Sequence, residues 1–232
     1  HPGQTEVHNH PARFKVLAAG RRWGKTRLGV NECLQVAAHG GRAWWIAPNY
    51  KMSEVGWRPL RRIGAKIGAE IRKVDRQIIL PNGGWVCVRS ADNPDSLRGE
   101  GLDFVIFDEN AFIAEAAWIE AVSPALADRQ GKAVFISTPK RRNWFYRLYQ
   151  QGLDNDNIWQ SWQIPTKGCE IINGELIRKP HPFENPHIEW KEVVEAFHNL
   201  PMDIFRQEWM AAFLEGEGIV FRNITACLHA PD

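Results

Sequence analysis

The sequence predicts an α/β fold with a mainly parallel sheet and a small C-terminal lid. An apolar run at 14–18 is followed by a glycine-containing turn and a helical segment over 25–39. A second strand pattern at 43–48 follows after a short link, and strand–helix–strand order with short links gives parallel strands in a right-handed crossover. Two further buried-strand patterns, at 104–109 and 132–139, extend the same sheet.

The first turn has the composition of a phosphate-binding loop. Residues 20–26 read Gly-Arg-Arg-Trp-Gly-Lys-Thr and lie between a strand and a helix. Gly20 and Gly24 have no Cβ, so the backbone can turn tightly and approach a polyphosphate. Backbone N–H groups and the positive end of the helix would hold the phosphates.

Two side chains complete this loop. Lys25 is placed to reach the terminal phosphates, and the Thr26 hydroxyl to ligate a magnesium ion. Ala19 departs from the general pattern, which has glycine there. A glycine turn with an incidental lysine is therefore the alternative for this stretch taken alone.

Composition limits the possible classes. The chain has 232 residues and 44% hydrophobic content, which is enough to build a full hydrophobic core. Its net charge of +2 does not by itself indicate binding to nucleic acid. The absence of a CxxC pair and of a long apolar run favours a soluble protein in the reducing cytosol. The chain opens at His1, which is typical of a piece of a longer protein. Four cysteines are read as ordinary thiols: Cys33, Cys87, Cys169 and Cys227.

Residues 2–7 read as a polar lead-in to the loop strand. Within it, Gln4 could present its amide to the N6 and N7 edge of adenine, or could be an ordinary surface residue. His8 and His10 lack further ligand-like neighbours, so the sequence gives no reason to expect a metal there.

A basic stretch and a hairpin follow the second strand. The hairpin at 77–88, with a Pro-Asn-Gly-Gly turn, is expected to decorate the sheet. The basic residues could mark a surface that tracks DNA, or could be a solvated helix face. They are Arg58, Arg61, Arg62 and Lys66.

A second diagnostic stretch ends in two carboxylates, Asp108 and Glu109. Four apolar residues precede them, which predicts a central strand that delivers both acids to the nucleotide crevice. Asp108 would hold magnesium through water, and Glu109 would polarise the attacking water. A strand that simply ends in a charged turn is the alternative, and the phosphate-binding loop argues against it.

Three more residues are candidates for roles at a nucleotide. Arg98, beside Gly99, could reach the γ-phosphate of a neighbouring subunit, or could pair with Glu100. Ser137 and Thr138 end a buried strand, where hydroxyls can sense whether a γ-phosphate is present.

The pattern changes near Leu153. We expect a core over 1–150, and a lid with the start of a linker over 151–232. In the second part, 159–164 reads as an edge strand, and helices are expected near 189–198 and 202–213. An aromatic helix at 143–149 is expected to be mostly core.

In this order the motifs resemble the ATPase domain of the large terminase subunit, the genome-packaging motor of tailed bacteriophages. The resemblance covers essentially the whole chain, and that family commonly departs from the general loop pattern at the Ala19 position. It is carried by Gln4, the loop at 20–26, the pair Asp108-Glu109, Ser137-Thr138-Pro139 and the helix that follows Asn143.

The resemblance implies an additional-strand, RecA-like P-loop NTPase core that uses ATP and Mg²⁺. It assigns Lys25 to phosphate, Thr26 and Asp108 to the metal, and Glu109 to the catalytic water. It also assigns Gln4, Gly20, Arg21, Arg22, Trp23 and Gly24 to nucleotide binding, Arg21 to charge stabilisation in its own subunit, Arg98 to the finger role on the next subunit, and Ser137 and Thr138 to coupling.

The same resemblance implies partners and place. They are double-stranded DNA, the portal protein and the small terminase subunit, with a homomeric ring on the portal and a monomer in solution. The site of action would be the host cytoplasm and, transiently, the procapsid portal. Full-length members also carry a nuclease domain. Because the chain stops near 221–223, we expect ATP hydrolysis without DNA cleavage.

Two other functions are compatible with the motifs. A helicase-like remodelling ATPase would need a second motor domain, for which this chain has no room. A non-catalytic ATP-binding scaffold would not need a water-polarising carboxylate beside the metal-binding acid, so Glu109 argues against it.

Overall fold

A computed structural model describes residues 1–154 and 158–215. Its ten strands are β1 (Phe14–Ala19), β2 (Arg42–Ala47), β3 (Glu70–Arg72), β4 (Gln77–Ile79), β5 (Trp85–Ser90), β6 (Phe104–Asp108), β7 (Lys132–Ser137), β8 (Trp159–Ile164), β9 (Cys169–Ile172) and β10 (Glu175–Arg178). Its α-helices are α1 (Pro2–Asn9), α2 (Lys25–Ala38), α3 (Tyr50–Lys66), α4 (Ser123–Ala127), α5 (Trp144–Gln151), α6 (Trp190–Asn199) and α7 (Met202–Glu208).

Eight strands form one sheet in the order β3-β4-β5-β2-β6-β7-β1-β8. Six neighbouring strands, β5, β2, β6, β7, β1 and β8, run parallel to one another. β4 runs antiparallel to both of its neighbours, β3 and β5. The expected α/β fold with a mainly parallel sheet is confirmed. β7 lies between the loop strand β1 and the acid-bearing strand β6, which is the additional strand that the resemblance implies.

Alternation along the buried strands builds two hydrophobic layers. On β1, Leu17 packs with α2 and α3 on one face, while Val16 packs with α4 and α5 on the other. Phe107 and Phe135 stack on the second face with ring centroids 5.1 Å apart. Since full burial of such a side chain stabilises by about 1.5–3 kcal/mol, packing on both faces stabilises the central strands.

The register aligns the carboxyl ends of the central strands. Ala18 of β1 lies beside Ser137 of β7, and Asp108 of β6 lies beside Ile136 of β7. The turn after β1, the acid pair after β6 and the hydroxyls after β7 therefore share one edge of the sheet.

The structure adds detail to two expectations for the first half. The polar lead-in forms helix α1, whose Val7 is buried in the core. The hairpin is present, but its second strand β5 pairs in parallel with β2 over six residues and so belongs to the main sheet. Val86 of β5 is fully buried and belongs to the hydrophobic core on one face of the sheet.

The second part of the chain contributes a strand to the core sheet. β8 is an edge strand, as predicted, but it pairs along its whole length with β1, so the core sheet extends past residue 150. The boundary between the two parts stays a prediction. α6 matches its expected range, whereas α7 ends at Glu208, earlier than expected. Residues 216–232, where the predicted chain end near 221–223 and Cys227 fall, lie outside the described residues.

A separate two-stranded sheet, β9 and β10, was not predicted. Its turn is Asn173-Gly174, and both residues have positive φ, 51° and 84°. Asn-Gly between two short apolar strands is the usual signal for a two-residue hairpin, so the sequence did contain it. In the described ranges, no helix combines the length and apolar character needed to cross a membrane.

Candidate active site

The predicted phosphate-binding loop lies between β1 and α2. Gly24 has a φ of 110°, a conformation that favours glycine, and α2 begins at the next residue. The first amides of a helix have no acceptor inside it. The loop therefore presents N–H groups and a partial positive charge at the sheet edge.

Lys25 folds back over this loop. Its Nζ donates to the carbonyl oxygens of Ala19 at 2.8 Å and Gly20 at 3.0 Å, and to Thr138 Oγ1 at 3.1 Å. The residue is only 8% exposed. Burial lowers the pKa of its ammonium group, while Glu109 and Asp108 nearby oppose that shift. A buried cation is thus held between the loop and two acids.

The acid pair lies at the end of β6, as predicted. Asp108 is 4% exposed, and burial, with the neighbouring Glu109, raises its pKa to about 7, while Lys25 opposes the shift. Glu109 has a φ of 48°, which is uncommon outside glycine. Such strained residues cluster at functional sites.

The two predicted coupling residues join the loop to the acids. Ser137 Oγ donates to Glu109 Oε2 at 3.3 Å and is also 2.8 Å from the Thr138 carbonyl. Thr138 Oγ1 accepts from Lys25. The structure therefore brings Lys25, Asp108, Glu109, Ser137 and Thr138 together.

The other loop residues contribute mainly backbone. Trp23 is fully buried and its indole donates to the Phe183 carbonyl, so its side chain is unavailable to a nucleotide. The Arg21 guanidinium lies 3.4 Å from Glu208 and is 72% exposed. Arg22 has a φ of 58° and an exposed side chain. Thr26, in the first turn of α2, is partly exposed.

Six consecutive backbone carbonyls of this segment accept hydrogen bonds from side chains. Gln4 Nε2 donates to Gly24 at 3.0 Å, so Gln4 contacts the loop rather than lying on an open surface. Because a trans peptide places C=O and N–H on opposite sides, the N–H groups of Arg22, Gly24 and Lys25 are directed away from the side chains that hold the preceding carbonyls. The N–H groups of Gly20, Arg21 and Trp23 instead donate to the carbonyls of Ile164, Glu208 and Gly20. The pairs are Ala19 and Gly20 with Lys25, Arg21 with Thr166, Arg22 with Asn185, Trp23 with His1, and Gly24 with Gln4.

Sequence reasoning missed Thr166 and Asn185. They follow β8 and β10, far from the loop in sequence, and no local motif marks them. Only the pairing of β8 with β1 brings them near the loop.

Arg98 and the basic residues lie apart from this cluster. Arg98 pairs with Asp95 at 3.2 Å and Glu120 at 3.3 Å, and not with Glu100, the partner considered in the sequence. Arg58 pairs with Glu54 on α3 at 3.2 Å. The four predicted residues, Arg58, Arg61, Arg62 and Lys66, are exposed on α3. Within the described ranges, the structure does not bring these residues to the loop.

Comparisons with known proteins decide the family. The profile of the family described as "Terminase large subunit, T4likevirus-type, N-terminal" matches residues 16–225. The chain belongs to the terminase large subunit family. It is 31% identical to the "Terminase, large subunit" of Thermus phage G20c, with 100% of this chain and 52% of that protein covered. It is also 31% identical to that of Escherichia phage T5, with 95% and 48% covered.

Solved structures of terminase large subunits share the fold. The large terminase ATPase domain of Thermus phage P74-26 superposes with a TM-score of 0.69 at 27% identity, covering 92% of this chain and 94% of that one. The large terminase of bacteriophage D6E in complex with ADP gives a TM-score of 0.69 at 14% identity, covering 91% and 53%, which shows the fold alone. The RecA-like fold is confirmed. This terminase chain spans about half the length of the curated relatives it matches.

Proposed function

We propose that this chain is a Mg²⁺-dependent ATPase that drives translocation of double-stranded viral DNA. The observation that carries the proposal is the convergence of buried Lys25, Asp108 and Glu109 at one sheet edge. The match to a domain named as an ATPase in phage P74-26, at 27% identity, supports it.

The residues of the site fit a magnesium nucleotide. The start of α2 supplies free amides and positive potential for phosphate oxygens. Lys25 replaces carbonyl partners easily, since phosphate is a stronger acceptor than a peptide oxygen. Asp108 and the Thr26 hydroxyl are oxygen donors of the kind that Mg²⁺ prefers. The bound ion would supply charge neutralisation for phosphoryl transfer.

The chain's own residues define the remaining roles. Glu109 accepts a proton from water and orients it, because its carboxylate lies at the edge where Ser137 donates to it. Lys25 stabilises negative charge on the transferred group. Thr138 touches Lys25 and Ser137 touches Glu109, so both hydroxyls are placed to register a change at the phosphate.

Arginines would complete the site. Arg21 lies on the loop, so it is proposed to stabilise charge within its own subunit. Arg98 is proposed to act on the nucleotide of a neighbouring subunit, which requires a homomeric ring. The proposed partners of the whole protein are double-stranded DNA, the portal protein and the small terminase subunit. The proposed setting is the cytoplasm of the infected host, with a transient stage on the procapsid portal.

Phosphate release tests the proposal. The parent should hydrolyse ATP with Mg²⁺, while Lys25→Ala and Glu109→Ala should lose turnover by at least about a hundredfold. A non-catalytic scaffold predicts no difference among the three proteins. Incubation with plasmid and Mn²⁺ tests the expectation that this chain does not cleave DNA.

A further inference from the structure

The loop of this chain contains one residue in an uncommon backbone conformation, Arg22, with φ of 58°. A residue other than glycine rarely adopts a positive φ unless its surroundings impose it. Arg22 is also exposed, so its side chain does not impose that conformation through burial. The peptides on either side of Arg22 must therefore be held in place.

Two residues from the second part of the chain hold these two peptides. Thr166 Oγ1 donates to the Arg21 carbonyl at 2.6 Å, which fixes the peptide before Arg22. Asn185 Nδ2 donates to the Arg22 carbonyl at 2.7 Å, which fixes the peptide after it. Thr166 is 0% exposed and Asn185 is 8% exposed, so water does not compete well for either bond.

Both donors are themselves fixed. The backbone N–H of Asn185 donates to the Thr166 carbonyl at 3.1 Å, and the backbone N–H of Thr166 donates to the Trp209 carbonyl at 2.8 Å. Asn185 Oδ1 accepts from the His187 amide at 2.9 Å, which orients its side-chain amide. A Cβ on Gly20 would lie 2.4 Å from Thr166 Oγ1, so the loop and Thr166 are in close contact.

We propose that Thr166 and Asn185 are positioning residues that hold the Arg22 peptides so that the loop amides face the phosphates of the nucleotide. The Arg21 carbonyl is directed toward Thr166, so the Arg22 N–H of the same peptide is directed the opposite way. The Trp23 N–H of the next peptide, whose carbonyl Asn185 holds, donates to the Gly20 carbonyl at 3.3 Å and closes the turn of the loop. This inference rests on the proposed function, since it assumes that the loop binds phosphate. It adds that affinity for phosphate depends on side chains outside the loop motif.

Binding of fluorescent nucleotide to conservative variants tests the inference. Thr166→Val keeps the shape of the side chain but removes its hydroxyl, and Asn185→Asp keeps Oδ1 but removes the donor. Each should weaken ATP and ADP binding about five- to tenfold, where tenfold corresponds to about 1.4 kcal/mol. AMP, which lacks the β- and γ-phosphates, should lose less than twofold. Thr166→Ser retains the hydroxyl and should bind all three within twofold of the parent.

A matched control separates this effect from general destabilisation. Asn82 Nδ2 donates to the Ala37 and Ala38 carbonyls, and its Oδ1 accepts from Gly84, far from the loop. Asn82→Asp makes the same chemical change and should leave nucleotide affinity within twofold. Folded Thr166→Val and Asn185→Asp proteins that bind ADP and ATP like the parent would overturn the inference.

A measurement on the unaltered chain tests the inference even if the variants fail to fold. If the two donors and bound phosphate stabilise one loop conformation, ADP must slow hydrogen exchange of the Thr166 and Asn185 amides, because linkage is reciprocal. We expect at least threefold slower exchange, and no change would overturn the inference. A parent that binds no nucleotide would instead refute the proposed function.

Discussion

The sheet-edge site and the basic face of α3 differ in how their residues are held. At the sheet edge, Lys25 is buried and bonded to three oxygens, and Ser137 bonds Glu109. On α3, the basic residues are exposed, and Arg58 pairs with Glu54 of its own helix. The first region depends on convergence of distant segments, whereas the second depends on the charge of a single helix.

This difference determines how each region responds to substitution. A buried group that loses its partner leaves an uncompensated charge or donor, so one substitution should disable the site. Exposed charges act through a screened field, so each contributes little and several must change together. The predictions below test this contrast from the largest expected effect to the smallest.

Glu109→Gln should have the largest effect on turnover. The amide keeps the size of the side chain but cannot accept a proton, so kcat should fall about 10²- to 10⁴-fold. Affinity for ATP should stay within about threefold, because Lys25 and the loop amides remain. Stopped-flow binding and phosphate release separate the two quantities. An unchanged kcat would show that Glu109 does not accept a proton during ATP hydrolysis.

Arg98 is exposed like the basic residues of α3, but its proposed role places it at the nucleotide of a neighbouring subunit. If it acts on a neighbour, Arg98→Ala should lower turnover at least about tenfold in the assembled state. Mixing Arg98→Ala with Glu109→Ala subunits at high concentration should restore part of the activity. Mixtures as inactive as the separate variants would place Arg98 outside the site. Arg129→Ala, which removes another exposed arginine paired with an acid, Asp103, is the control.

The raised pKa of Asp108 predicts a pH dependence. In metal-free protein this pKa is about 7 instead of 3.8, so the folded state binds the proton more tightly than the unfolded state does. The stability from this group is therefore present below about pH 4 and lost as pH rises to about 7. Between pH 5 and 8 the loss should be about 2–3 kcal/mol, because one unit corresponds to about 1.4 kcal/mol.

Urea unfolding of the parent and Asp108→Asn measures this loss. The parent should lose stability relative to Asp108→Asn as pH rises, and Mg²⁺ with ADP should reverse the loss. Equal pH profiles for the two proteins would contradict the proposed electrostatics of the sheet edge.

The basic face should give the smallest effect per residue. Replacing Arg58, Arg61, Arg62 and Lys66 by glutamine should lower DNA affinity. It should also reduce the slope of log K against log salt by up to about 3.6. Basal ATP turnover should be unchanged. A control set of exposed basic residues elsewhere should leave DNA affinity nearly intact: Arg42, Lys132, Arg147 and Lys179. Equal losses from both sets would show that α3 is not a DNA surface.

The sequence predicted most of the sheet edge because its signals are local. The loop over 20–26 and the pair Asp108-Glu109 each follow an apolar strand, and parallel strands bring their carboxyl ends together. The contacts of Ser137 and Thr138 follow from the same rule.

The remaining features depend on contacts between distant segments. Thr166 and Asn185 reach the loop only because β8 pairs with β1, and no spacing rule in the sequence encodes that pairing. The helical lead-in was missed because Pro2–Asn9 is polar and short, and its burial through Val7 depends on packing against α2. The role of β5 was missed because a hairpin signal does not state which sheet receives its second strand.

The most direct test of the central claim is a crystal structure of this chain with Mg²⁺ and ATPγS. The account predicts that Lys25 Nζ exchanges a carbonyl partner for a phosphate oxygen, with the metal beside the Thr26 hydroxyl and on the Asp108 side of the loop. Nucleotide bound at another edge of the sheet, with Lys25 still bonded only to Ala19, Gly20 and Thr138, would contradict it.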